Sequence, residues 1–131
     1  MPKLQISAND MAKGIPAVEG WYKGKLLSFV SEMNSKRDGM NYVPTISFEG
    51  KDGVTREIKS WFSSKALGID FARFYCAVTD QKLVATENLD IDTDNIEKET
   101  ELWIHVVQDV YNGRIVNKMD NYITASEEVP F

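Results

Sequence analysis

Cysteine and histidine are almost missing from this 131-residue chain, with Cys76 and His105 the single examples of each. One thiol cannot close an internal disulfide, and one Cys with one His cannot build the usual zinc cages. Little is left for a Cys-His nucleophilic pair. Cys76 therefore reads as a small buried hydrophobe and His105 as a strand residue with no special role. No apolar run approaches the roughly 20 residues that span a bilayer. The opening Met1-Pro2-Lys3-Leu4-Gln5-Ile6 also lacks the basic-then-apolar layout of a secretory leader. Both point to a soluble, cytoplasmic protein without a membrane partner. Catalytic signatures are missing too: there is no phosphate-cradling Gly-x-x-x-x-Gly-Lys, no His-x-Glu or Cys-x-x-Cys pairing and no Gly-x-Ser-x-Gly elbow. The expectation is a protein that is not an enzyme and needs no cofactor.

The chain has 43% hydrophobic residues, enough for the core of one domain. Its net charge of −5 argues at first against a polyanionic partner. The acids are segregated, however. Glu87, Asp90, Asp92, Asp94, Glu97, Glu99 and Glu101 stand against Lys98 alone, and Glu127 and Glu128 add to the excess near the end. The remainder is mildly basic, and a phosphate backbone responds to the local field of a groove more than to the sum over the protein. Asp90, Asp92 and Asp94 have the spacing that opens a calcium loop, but Asn95 stands where that loop needs its glycine. The acidic run reads as a solvated loop.

Residues 1–19 carry Gly14 and Pro16 without a sustained period and read as an extended lead-in, with room for a short edge strand at Lys3 to Ser7. Trp21 to Val30 is a long first strand in which Gly24 suggests a bulge or bend. A turn cluster from Asn34 to Gly39 leads to a second strand from Tyr42 to Phe48, where Pro44 demands an edge-facing or bulged position. Lys51-Asp52-Gly53 turns into a third strand over Thr55 to Phe62. From Ser64 the apolar residues Leu67, Phe71, Phe74, Tyr75 and Val78 recur at steps of three and four, which predicts a helix capped by Ser63 or Ser64. Leu102 to Val110 and Ile115 to Met119 flank Asn112-Gly113, the favoured type I′ hairpin turn. Three strands, a helix and two strands is the layout of an OB-fold. The expected class is all-β with one helix: a five-stranded Greek-key barrel over residues 20–123, helix between strands 3 and 4, followed by an acidic tail at 124–131.

Aromatic residues alternate with cations on these strands. Trp21, Lys23 and Lys25 share one parity, as do Lys59 and Trp61. Lys36 and Arg37 occupy the first hairpin loop near Tyr42, and Tyr111 and Arg114 frame the last. Unpaired nucleic acid calls for this mixture, because bases stack on Trp or Tyr while Lys and Arg release counterions from phosphates. Trp21 and Trp61 remain open to core packing as well as ligand stacking, and so does Trp103 between Leu102 and Ile104. Phe29, Phe48, Phe62, Phe71 and Phe74 read as packing.

The segment Glu127-Glu128-Val129-Pro130-Phe131 joins two carboxylates to an apolar hook that a partner's pocket and cations could capture. It resembles the acidic tip, finishing Ile-Pro-Phe or a close variant, of bacterial single-stranded-DNA-binding proteins and their phage analogues. Pro16 to Tyr22, Trp61 with Phe62, and Tyr111-Asn112-Gly113-Arg114 leading to Asn117 are similar to small phage proteins of this kind. Only Thr124-Ala125-Ser126 precedes the glutamates, where that family usually has a long Gly/Gln/Pro-rich linker. The resemblance implies sequence-tolerant binding and protection of single-stranded DNA during phage replication, recombination or repair, in the host cytoplasm. It also implies recruitment of replication or recombination proteins through the tip, with a homo-oligomer as an option. The rival expectation is an acidic protein-interaction adaptor or DNA-mimic inhibitor.

Overall fold

The computed structural model describes residues 3–129. A short helix α1 (Ala8–Ala12) precedes four strands, β1 (Gly20–Met33), β2 (Met40–Glu49), β3 (Thr55–Lys59) and β4 (Phe62–Ser63). Helix α2 (Ile69–Thr79) follows. A 3-10 turn at Thr93–Asn95 then leads to β5 (Glu101–Tyr111) and β6 (Arg114–Thr124). All pairings are antiparallel, in the order β3-β2-β1-β5-β6, with β4 on β2 beyond the end of β3. The protein is thus mostly β with one main helix and an open six-stranded sheet. Its outer strands meet through side chains, Ser60 Oγ lying 3.0 Å from the Tyr122 hydroxyl. Burial pushes the Tyr122 phenol up to about 12, so it stays neutral in that contact.

Several elements differ from the reading above. Lys3 to Ser7 forms no strand; the Ser7 hydroxyl accepts the Asp10 amide at the start of α1 instead. The predicted third strand is two strands, and Pro44 supplies the reason. Its carbonyl accepts the Ser60 amide at 3.3 Å, so its donor-less nitrogen faces the same side, and the ladder breaks between β3 and β4. The helix begins at Ile69, later than predicted, behind Gly68 and without a side-chain cap, and it ends at left-handed Asp80. The bulge in β1 falls at Leu27, past Gly24. Gly24 serves close packing: a Cβ there would lie 2.6 Å from Ile46 Cγ2. The last hairpin is as expected, with Asn112 and Gly113 both at positive φ and Tyr111 opposite Arg114.

Alternation puts Leu26, Ile46, Leu102, Ile104 and Val106 on one face of the sheet, all fully buried. Phe71 and Phe74 of α2 close over that face, joined by Phe29, Tyr42, Phe62 and Tyr122 in one aromatic cluster. Cys76 is buried on the same helix, and burial pushes its thiol up, which keeps it protonated and unreactive.

Arg56, only 6% exposed, also points inward. It donates to both carboxylate oxygens of Asp52 at 2.9 and 2.8 Å, and to the Ile15 and Ala12 carbonyls at 3.1 Å each. A single guanidinium thus ties the N-terminal segment to β3. Hydrogen bonds from Arg56, then from the Val54 amide, hold the Asp52 carboxyl down to about 2. Because the folded value is depressed, the stability linked to this carboxylate is fully present above about pH 4. It is lost as pH falls toward about 2. Denaturation midpoints measured across that window should fall more steeply for the native protein than for Asp52→Asn. Parallel slopes would place the acid sensitivity elsewhere.

Candidate functional site

Partners across an antiparallel ladder project to the same side, so the register decides which predicted residues share a surface. Trp21 lies opposite His105, Lys23 opposite Trp103 and Lys25 opposite both Glu101 and Ser47; Ser47 in turn faces Glu57. Since the bulge comes only at Leu27, no parity change separates Trp21, Lys23 and Lys25, and all three point away from the α2 side. Lys59, two residues after Glu57, continues this outward face. Trp61 follows it, 61% exposed, while its neighbour Phe62 turns into the core. From β1 to β3 the surface spans two interstrand spacings, about 10 Å.

Trp21 and Trp103 therefore lie on the outward face and Trp61 is exposed at the break between β3 and β4, whereas Phe29, Phe48, Phe62, Phe71 and Phe74 pack inward. Trp103, left open in sequence between core and contact, and His105, given no role there, share this face. Strict alternation along β5 was the available signal. Trp21 and His105 ring centres are 5.0 Å apart, and His105 Nδ1 is 2.6 Å from Asp120. His105 thus has a neighbourhood that its strand position alone did not suggest.

The other predicted residues separate. Tyr42 is half-buried, parallel to Phe29 at 6.0 Å, and lines a groove of about 360 Å³ with Leu67, Phe71 and Ile91. Its inward side places it with the core aromatics. Lys36 and Arg37 sit on the β1–β2 turn, which docks on β4 through reciprocal contacts of Met40 and Ser64. Lys65 bonds to Asp38 there and, with Asn34, holds that carboxyl below its usual range. Tyr111 and Arg114 sit on the β5–β6 turn. By register that turn lies beyond the first residues of β1, and the β1–β2 turn lies beyond its last, so the two loops emerge at opposite ends of the strand.

Charge on the outward face is balanced. Lys23 Nζ is 3.2 Å from Glu101 and 5.8 Å from the Trp103 ring centre, and Lys25 Nζ is 3.1 Å from Glu99. Among the described residues Lys36, Arg37, Lys59 and Arg114 take part in no ion pair. No group of three or more His, Cys, Asp or Glu converges as metal ligands among the described residues, and no described helix is long and apolar enough to cross a membrane.

The tail leaves β6 beside the end of α2, where the Thr124 and Ser126 hydroxyls donate to Asp80. Glu127 lines a cavity of about 220 Å³ with Arg73, Cys76, Lys82 and Leu83. Glu128 is exposed and Val129 half-buried, while Pro130 and Phe131 of the expected hook lie outside the described residues. No protein-family model matches the chain, and the search of curated proteins finds no match either.

Proposed function

We propose that this protein binds and protects single-stranded DNA, without catalysis and without strong sequence preference, during phage DNA replication or recombination. The observation that carries this reading is the register that puts half-buried Trp21 and Trp103 with Lys23 and Lys25 on the sheet face away from α2, and leaves Trp61, 61% exposed, just past Lys59. A ring needed only for stability would gain more by burial than Trp61 does at 61% exposure. Strand order supports the same reading. With β3 and β4 taken as one interrupted strand, β3-β2-β1-β5-β6 with α2 before β5 follows the OB-fold path, and the Ser60–Tyr122 contact brings the two ends together where such a barrel closes. Lys36 and Arg37 at one turn and Tyr111 and Arg114 at the other extend the surface at both ends of β1. Glu127 to Phe131 recruits partner proteins. The balanced charge of the face favours the second reading, an acidic adaptor or DNA mimic.

Titration of a labelled oligo-dT at two salt concentrations separates the two. Single-strand binding quenches tryptophan fluorescence and weakens as salt rises, because phosphate contacts release counterions. An adaptor gives no response at either salt, and that result would overturn the proposal.

A further inference from the structure

Two carboxylates sit where a strand's phosphates would have to go. Glu101 and Glu99 hold the ammonium groups of Lys23 and Lys25, the two cations between the Trp21 and Trp103 rings and the centre of the face. Neither carboxylate is there by chain drift. Glu101 opens β5 directly opposite Lys25. Glu99 has φ 69°, a left-handed conformation that favours glycine or asparagine, and it is pinned there by its amide donating to the Leu26 carbonyl at 2.7 Å. The Leu26 amide returns a bond to the Thr100 carbonyl at 2.8 Å. A glutamate kept at a strained position, with its side chain on a lysine of the candidate site, breaks a local rule in favour of a local charge contact.

We infer that Glu99 and Glu101 are specificity-determining residues of the single-strand face, resident anions that any polyanion must displace. The inference rests on the reading of that face as a DNA-binding surface. Both pairs are half-exposed and exchangeable, so a phosphate can replace each carboxylate. Exchange of one anion for another releases fewer counterions than binding to bare lysines, and the electrostatic gain is correspondingly small. A ligand that offers charge alone recovers little. One that also lays bases on Trp21 and Trp103 recovers the stacking contribution, so the two glutamates select unpaired nucleic acid over other polyanions.

The double variant Glu99→Asn/Glu101→Gln removes both charges, and asparagine tolerates the left-handed backbone at position 99, so the fold is spared. Oligo-dT affinity and its salt dependence are measured for both proteins, with heparin as a ring-free competitor. The expected result is oligo-dT binding tighter by at least threefold at low salt, a plot of log K against log salt steeper by about 1.4 for two freed phosphate contacts on a single strand, and heparin competing at lower concentration. Unchanged slope and unchanged heparin competition, with the native protein still binding oligo-dT, would overturn the exchange while leaving the DNA-binding face intact. Failure of the native protein to bind oligo-dT would overturn both.

Discussion

Trp21→Ala/Trp61→Ala is expected to weaken oligo-dT binding by about 2 to 6 kcal/mol, taking about 1 to 3 for each base that loses its stacking partner. The two rings sit on separate segments, Trp21 beside His105 on β1 and Trp61 beyond the end of β3, so their effects should be close to additive. Most of any stability loss should come from Trp21, which is half-buried against the His105 ring, and little from Trp61, which is 61% exposed. Anisotropy of a labelled oligonucleotide reports the affinity without relying on the fluorescence of the remaining Trp103. Circular dichroism melting checks the fold in the same samples. A folded double variant that binds as tightly as the native protein would remove the rings from the interface, and with them the main support for the proposed function. A variant that no longer folds would assign them to the structure.

Phe74→Ala should have the largest effect on stability, about 3 to 5 kcal/mol. Phe74 is fully buried at the centre of α2. Its ring centre lies 5.5 Å from that of Tyr122, 5.9 Å from those of Phe29 and Phe62, and 6.2 Å from that of Phe71. Four surrounding rings are too bulky to collapse into the space left behind, which puts the cost toward the upper part of the range. A domain of this size is stabilised by roughly 5 to 15 kcal/mol, so a large fraction of the total is at stake. Denaturant titration with an unchanged slope and a markedly lower midpoint is the expected outcome. A loss below about 1 kcal/mol would show that α2 does not pack on the sheet through this residue.

Much of the fold could be read from local pattern. The step of three and four from Leu67 to Val78 marked the helix, and Asn112-Gly113 marked a hairpin whose turn needs positive φ at both residues. Period-two alternation marked the strands and assigned Trp21, Lys23 and Lys25 to one side. It could not place the bulge, because Gly24 is glycine for close approach to Ile46 and not for an extra residue in the ladder. Nor did a run of branched and aromatic residues reveal the break between β3 and β4. That break arises on the neighbouring strand, where Pro44 has no hydrogen to donate. The inward, anchoring role of Arg56 was equally hidden, since its acceptors at Ala12 and Ile15 lie more than forty residues away.

The candidate site divides along the same line. Residue types, alternation and the scarcity of cysteine and histidine directed the sequence reading toward rings and cations, because those properties belong to each residue and its immediate neighbours. Which groups face one another was decided only by tertiary structure. The long-range register of β1 with β5 set Lys23 against Glu101 and Trp103, and the crossing at Leu26 brought Glu99 onto Lys25. Such pairings follow from packing two distant segments over one core. A local sequence pattern specifies the side on which a group emerges, not the group that meets it there.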